Sequence, residues 1–475
     1  MTEFVLNDKT ITTSLSPGMT LLDFIRYHEH LMGTKIGCRE GDCGACTILC
    51  GSIEKGTVQY SSATSCLMPI GNAHGKHIVT IEGINTPDTH HNKTLNPIQQ
   101  AMADEGATQC GFCTPGFVVS LAGFCTTSQP AGKIITSIDG NICRCTGYKS
   151  ILRATDRIGA ILENRKNTSP VDFAIEQKLI PPYFKNIREK LLSIVSKSNG
   201  TAEKNPEYFV GGGTDLYVQK HETIQHASNR FLSAKDEMKQ VIQEGKMCVI
   251  GGSATVTDLQ QSPLMHQYFP RFSDYIPLIS STQIRNMATI AGNFINGSPI
   301  GDLTIFFLAL DAQIVFTDGK RARTLPLRKL YKGYKTLDKK TDEYIEKITF
   351  SIPDTNTQFH FEKVSKRRNL DIASVNSAIM IRKDKKIVFE AGLSAGGVGP
   401  VPLYLEKASA FLTGKIITPE IVQKCVEIAQ TEISPISDAR GTSEYKRLLL
   451  SQLIKAHFLQ LFPDLDVEKT VLLKS

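Results

Sequence analysis

The chain has 475 residues, of which 41% are hydrophobic and 21% charged, with a formal net charge of +7. That length exceeds one ordinary domain and suggests three or four, each with its own core, while the composition excludes the disordered and fibrous classes. The start "MTEFVLNDKT" shows no cationic segment leading into an apolar one, and no run approaches the roughly 18 apolar residues of a membrane helix, so a soluble, unexported, cytoplasmic protein is expected.

In chain order, "FVLNDKTITTSL" reads as a hairpin around Asn7 and Asp8, and "TLLDFIRYHEHL" as a helix. "CTILCGSI", "KGTVQYSSATSC" and "HIVTIEGI" read as strands, which makes residues 1–85 a small α+β unit. From 86 to 165 the apolar spacing changes to about 3.6 residues. "NPIQQAMADEGA", "TPGFVVSLAGFCTTS" and "YKSILRATDRIGAILEN" then fit a four-helix unit, with Asn96 and Pro97 as N-cap and first helical residue. The polar stretch "NRKNTSP" begins a linker, placed at 166–179.

Residues 180–352 return to short β-like runs, "EYFVGGGTDL", "KMCVIGGSATVTDL", "NMATIAGNFING" and "AQIVFTD", with helices between them, and a further α+β segment occupies 353–475. Between 319 and 340, nine Lys or Arg face one Asp. A solvated basic face is the ordinary reading of that run, and attraction of an anionic cofactor or partner is the other. No aromatic platform accompanies the charge, so no nucleic-acid partner is expected, and none of membrane type.

The chain has twelve cysteines, ten of them before residue 146. In a reducing compartment metal binding is a better reading than a disulfide framework. Cys38, Cys43 and Cys46 have the spacing C-x4-C-x2-C, and Cys66 follows after 19 residues, which is the plant-type [2Fe–2S] pattern. Four thiolates must converge on two irons, and Gly41 and Gly44 let the loop's amides approach the cluster sulfurs. A zinc knuckle is the competing reading, although structural zinc favours two C-x2-C pairs. Cys110 and Cys113, followed by Cys143 and Cys145, suit either zinc or a second cluster. Cys50 and Cys125 sit in apolar surroundings and read as core residues.

"FVGGGTDL" (209–216) is a strand entering a glycine turn and then a helix start, where amides can cradle a pyrophosphate or the turn can simply connect two elements. In "NMATIAGNFINGSPIGD", Gly292 and Gly297 allow close backbone approach, and Asn293 and Ser298 offer hydrogen bonds. A nucleotide groove and a sheet bend both fit.

Taken together, "GCREGDCGACT", "QCGFCTPG", "NICRCTGY", "GGGTDL", "TIAGNFINGSPIGD", "KRRNLDIASVN" and "GGVGPVPL" resemble, in order and over essentially the whole chain, the xanthine dehydrogenase family of molybdenum hydroxylases. Nothing here matches the family's large molybdopterin domain. The resemblance is therefore to the bacterial arrangement, in which a small subunit holds the iron–sulfur and flavin domains and the molybdenum site lies on a separate large subunit. It implies a multidomain α+β fold: a β-grasp plant-type ferredoxin domain, a four-helix [2Fe–2S] domain, a two-part α+β FAD-binding domain and a C-terminal flavoprotein domain.

The implied cofactors are two [2Fe–2S] clusters, on Cys38, Cys43, Cys46 and Cys66 and on Cys110, Cys113, Cys143 and Cys145, and FAD, with NAD as acceptor. Phe209, Val210, Gly211, Gly212, Gly213, Thr214, Asp215 and Leu216 would line the FAD pyrophosphate and adenine side, with Asp215 as a turn or capping carboxylate, since two anions repel. Thr289, Gly292, Asn293 and Asp302 would contact FAD, and Lys363 would sit beside the flavin and favour its reduced anion. Arg367 and Arg368 match arginines near the flavin. One departure is the aliphatic run "IPLIS", where many relatives carry an aromatic residue. The implied partner is a molybdopterin-binding large subunit, in a dimer of heterodimers, and no residue of this chain is expected to carry out purine chemistry. Aldehydes or N-heterocycles are alternative substrates of the same module, and a zinc-stabilised scaffold is the remote one.

Overall fold

The structure is a computed structural model that describes residues 1–85, 95–195, 206–233, 236–367 and 369–466. It divides into two compact units, Met1–Ala234 with Ser281–Ala288, and Lys235–Ser280 with Thr289–Ser475.

In the first unit, strands β1 (Thr2–Leu6) and β2 (Lys9–Thr13) pair antiparallel with Leu6 opposite Lys9. Asn7 and Asp8 thus form the expected two-residue turn, and Asn7 takes the left-handed conformation, φ 53°, that asparagine tolerates. Strands β3 (Thr47–Glu54), β4 (Thr57–Thr64) and β5 (His77–Val79) complete a mixed sheet of order β2-β1-β5-β3-β4, with β1 and β5 parallel. The helix expected after β2 starts at Leu21 under a Thr20 cap, then widens to a π-helix over Phe24–His28. "HIVTIEGI" is strand only to Val79, and Ile81–Ile84 is a helical turn.

The helical part follows. Helix Pro97–Asp104 opens with a reciprocal cap, in which Asn96 Oδ1 accepts from Gln99 N and Gln99 Oε1 accepts from Asn96 N. Thr114–Cys125 is buried along nearly its whole length, and with Lys149–Glu163 it shares a core that includes Phe117, Leu121, Ile151 and Ile158. The stretch expected as a linker is not one. Ser169 caps helix Pro170–Glu176, whose Phe173 and Ala174 enter the same core. Its Ser-Pro pair is a helix start, which the sequence reading took for turn punctuation.

The expected 180–352 domain is also divided. Strands β6 (Tyr208–Val210) and β7 (Asn229–Phe231) pair in parallel, and helix Leu216–Ile224 lies between them in sequence. Val210, Tyr217, Ile224 and Met287 share a core with Phe4, Leu21 and Ile48, so these segments fold with the first unit.

The second unit contains β8 (Val241–Glu244), β9 (Met247–Gly251), β10 (Gln313–Thr317), β11 (Ala322–Pro326), the short pair β12 (Tyr331–Gly333) and β13 (Thr336–Leu337), and β14 (Tyr344–Ser351). Five of them form an antiparallel sheet of order β11-β10-β14-β9-β8. "NMATIAGNFING" does not form a strand: Thr289 caps helix Ile290–Asn296 and Gly297, at φ 61°, ends it. Those two terminal signals outweigh a short β-like alternation. A second antiparallel sheet, β15 (Thr357–Val364), β16 (Val375–Asp384), β17 (Ile387–Gly396) and β18 (Leu403–Tyr404), packs Ile379 and Leu393 against Phe458 of helix Ser443–Leu461 and Val422 of helix Pro419–Thr431.

The basic run at 319–340 is partly paired within its own unit. Arg323 pairs with Glu343 and Asp338, Lys332 with Asp338, Arg328 with Asp311 and Lys329 with Glu406. Among the described residues no helix is long and apolar enough to cross a membrane.

Candidate cofactor sites

The eight cysteines gather as two sets, both in the first unit. Cys38, Cys43 and Cys46 lie on the loop entering β3, and Cys66 lies just beyond β4. The antiparallel pairing of these strands, with Thr47 opposite Thr64, brings both ends of that hairpin together. The N–H groups of Glu40 and Asp42 each donate to Cys38 Sγ at 3.3 Å, and that of Cys38 donates to Cys43 Sγ at 3.4 Å. Arg39, at φ 57°, turns the loop and forms an ion pair with Asp23 at 2.6 Å.

Within this set the thiols pair two and two. Cys38 is drawn down to about 5, chiefly by its hydrogen bond with Cys43, while Cys43 is pushed up by the same bond. Cys46 is lowered by its bond with Cys66, and Cys66 is raised by it. Cys46 and Cys66 are buried, whereas Cys38 and Cys43 are half-buried.

The second set repeats the pattern. The sulfurs of Cys145 and Cys110 are 3.5 Å apart, and both residues are exposed. The amide of Phe112 and then Cys145 lower Cys110, and the bond with Cys110 raises Cys145. Burial, and after it the bond with Cys143, pushes Cys113 up to about 12. Burial works against ionisation of Cys143, but hydrogen bonds led by that of the Thr146 hydroxyl, 3.1 Å from its sulfur, hold it low. Cys113 stands at the N-cap of helix Thr114–Cys125, and Tyr148 OH accepts from the Cys143 amide at 3.0 Å.

Among the described residues, no group of three or more His, Cys, Asp or Glu surrounds a single point suited to one metal ion. Paired thiols with amide and hydroxyl donors aimed at sulfur fit a two-iron cluster, where each iron takes two thiolates and the sulfurs accept hydrogen bonds. Cys125 is fully buried and pushed up to about 12 by burial, as befits a core residue, and Cys50 lies within β3.

The residues expected to hold FAD fall in both units. In the first, Phe209 and Val210 end β6, Gly211, Gly212 and Gly213 form the turn, with Gly213 at φ 88°, and the helix begins at Leu216. Such a strand–turn–helix leaves backbone amides without intervening side chains, which fits an anion cradle. Asp215 lies in the turn at the N-cap position, and of the two roles expected of it, turn or capping carboxylate, its side chain makes no capping bond.

In the second unit, Thr289 Oγ1 accepts from Gly292 N at 3.1 Å, and Asn293 Oδ1 accepts from the amide and hydroxyl of Thr304 at 3.2 and 3.0 Å. Lys363 Nζ gives all its protons to protein acceptors: Leu278 O at 2.6 Å, Asp302 Oδ2 at 2.7 Å and Asp371 O at 2.8 Å. Asp302 Oδ1 accepts from Asn376 at 2.6 Å. Lys363 is thus a buried tie rather than a surface charge, and the "IPLIS" run supplies one of its acceptors. Arg367 is exposed, and Arg368 lies outside the described residues.

The sequence reading passed over Thr146, Asn141 and Gln283. The first two lie inside the stretch "NICRCTGY" that it singled out, so a search for hydroxyl and amide side chains beside the ligands finds them. Gln283 has no local signal.

Comparisons with known proteins find four domain matches in chain order, the third of which draws residues from both units and lies close to the expected 180–352 domain. Residues 4–70 match the family described as 2Fe-2S iron-sulfur cluster binding domain, and 80–156 match the [2Fe-2S] binding domain. Residues 189–354 match the FAD binding domain in molybdopterin dehydrogenase, and 360–461 the CO dehydrogenase flavoprotein C-terminal domain. A xanthine dehydrogenase of Emericella nidulans is 29% identical over 87% of this chain and 35% of its own length. One of Blastobotrys adeninivorans is 28% identical over 95% of this chain and 40% of its own. The chain therefore spans less than half the length of these relatives. A solved carbon monoxide dehydrogenase from Hydrogenophaga pseudoflava, lacking the Mo-pyranopterin moiety of its cofactor, aligns with a TM-score of 0.50 and 26% identity over 52% of this chain and 87% of that one.

Proposed function

Because this chain has the iron–sulfur and FAD domain set of the molybdenum hydroxylase family, we propose that it is the electron-transfer subunit of a xanthine dehydrogenase. Its partner is a molybdopterin-binding large subunit that oxidises hypoxanthine to xanthine and xanthine to urate, and the assembly is a dimer of heterodimers. Two [2Fe–2S] clusters carry single electrons, and FAD collects two and delivers a hydride to NAD.

The observation that carries this reading is the contrast between the two cysteine sets. Cys110 and Cys145 are exposed, so that set is the point of entry from a partner, while Cys46 and Cys66 are buried, so the other set suits an internal relay. Cys38, Cys43, Cys46 and Cys66 hold the relay cluster; Cys110, Cys113, Cys143 and Cys145 hold the entry cluster. Phe209–Leu216 bind the FAD pyrophosphate and adenine side. Thr289, Gly292, Asn293 and Asp302 contact FAD. Lys363 acts on FAD through Asp302, whose carboxylate it neutralises.

The test is anaerobic, xanthine-dependent NADH formation by the complex co-purified through a tag on this chain. NADH formation supports substrate, acceptor and partner together. Its absence from a molybdenum-replete preparation assigns the module to another hydroxylase, for aldehydes or N-heterocycles. The 26% identity to a carbon monoxide dehydrogenase, against 28–29% to the fungal relatives, favours keeping that second reading.

A further inference from the structure

The loop of Cys38, Cys43 and Cys46 and the loop of Cys143 and Cys145 lie outside the regular elements. Asn141, two residues before Cys143, spans the gap. Its Nδ2 donates to Gly44 O at 3.1 Å and reaches Thr47 Oγ1 at 3.4 Å, and Gly44 lies between Cys43 and Cys46. Its Oδ1 accepts from Ser120 Oγ at 2.8 Å and from Gln283 Nε2 at 3.0 Å. Gln283 Nε2 also reaches Ser120 Oγ at 3.1 Å and Ser137 O at 3.2 Å. The three side chains form a closed triangle with relative exposures of 0% for Gln283, 1% for Ser120 and 5% for Asn141.

Gln283 arrives from far along the chain, in the segment Ser281–Ala288 that folds with the first unit. Arg285 and Thr282 clamp that segment to Asp139, at 2.8 Å and 2.7 Å, with Arg285 and Asp139 both buried. The backbones meet so closely that a Cβ on Gly44 would lie 2.4 Å from Gly140 O, and one on Gly140 would lie 2.1 Å from Gln283 Oε1. Apolar side chains would fill a buried space at lower desolvation cost than this polar triangle. What the triangle adds is direction, because its bonds fix one cysteine loop against the other.

We propose that Gln283, acting through Asn141, is a positioning residue that sets the separation of the two clusters and so the rate of electron transfer between them. The proposal rests on the reading that both cysteine sets hold [2Fe–2S] clusters. Transfer between two centres falls steeply with distance, so a loosened lock slows it without touching any ligand.

The experiment uses the purified complex, reduced with dithionite, and compares the parent with Gln283→Met, which keeps length and removes the donor. Iron content and visible circular dichroism report whether both clusters remain. Low-temperature electron paramagnetic resonance reports the magnetic splitting between the two reduced clusters, and flash photoreduction reports the intercluster rate. With both clusters retained, Gln283→Met is expected to lose or smear the splitting and to slow the transfer. Leu121→Ala, a core truncation next to Ser120, controls for stability alone and is expected to leave the splitting as in the parent. Ser120→Ala, with its smaller volume change, serves if Gln283→Met does not fold. Unchanged splitting and rate in the lock variants, or an equal change in Leu121→Ala, overturns the proposal. A parent without two [2Fe–2S] signals overturns the cluster reading itself, and the lock with it.

Discussion

The amide of Ile142 donates to the carbonyl of Cys43 at 3.0 Å, so the residue beside Cys143 is bonded directly to a cysteine of the other set. The two cysteine motifs, almost a hundred residues apart in sequence, thereby form a continuous bonded path from Cys143 to Cys43. That path is the structural basis for treating the two sets as one relay, and each of its ends is open to test.

Replacing Cys43 by Ser removes the partner of Cys38 and leaves the pairs Cys110–Cys145 and Cys113–Cys143 intact. The variant is expected to lose the cluster of the half-buried and buried set while keeping the exposed one and FAD. Iron, resonance signals and flavin content measured on one preparation decide the matter, and simultaneous loss of FAD from a folded variant would refute the independence of the sites.

Thr146 stands with its hydroxyl 3.1 Å from Cys143 Sγ. With Cys143 as a thiolate the hydroxyl donates, and such a bond favours the more negative, reduced cluster. Thr146→Val is expected to lower the reduction potential of the entry cluster, by ~59 mV if the bond is worth tenfold in the one-electron equilibrium, and Thr146→Ser to restore it. A redox titration followed by electron paramagnetic resonance checks both, and a potential that stays put in the Val variant removes the hydroxyl from the account.

The Lys363 and Asp302 side chains are 2% and 13% exposed, and removing one partner strands the other. Lys363→Ala is expected to cost about 3–5 kcal/mol and to lower FAD content. Adding Asp302→Asn should recover much of the stability without recovering the flavin. Urea unfolding and the ratio of FAD to protein follow the two effects separately. Unchanged values of both in the single variant would make the tie dispensable.

His77 is fully buried, with its Nδ1 2.8 Å from Tyr60 OH and its Nε2 2.8 Å from Asn7 O. Burial, opposed by the Asn7 bond, lowers its pKa to about 3. Because the unfolded chain takes up a proton near 6.5 and the folded one does not, stability is full above that pH. It falls as the pH drops toward 3, by at most about 1.4 kcal/mol per unit for this one group. His77→Gln is expected to be less stable at neutral pH and to show a shallower acid dependence between pH 6.5 and 4.5. Parallel slopes for the two proteins would argue that His77 is not the group responsible.

What the sequence determined by itself was whatever a few neighbouring residues encode. The hairpin turn needs only Asn7 and Asp8, the cap of Pro97–Asp104 needs Asn96 and Gln99, and the C-x4-C-x2-C run places three of the four cysteines of its set within one loop. Short runs with mixed signals were less legible. "NMATIAGNFING" alternates like a strand, but Thr289 and Gly297 carry stronger end signals, and a single Ser-Pro pair turned the expected linker into a packed helix.

Only the tertiary structure decided which partner each buried polar group meets. The acceptors of Lys363 come from Leu278, Asp302 and Asp371, and the donors on Asn141 and Gln283 find partners 97 and 163 residues away. Such bonds are fixed by how sheets and helices pack, because a buried donor must take whatever acceptor the packing brings near it. For the same reason the chain of residues 281–288 joins the first unit while both of its flanks belong to the second, a choice that hydrophobic and polar burial makes and that no local pattern announces.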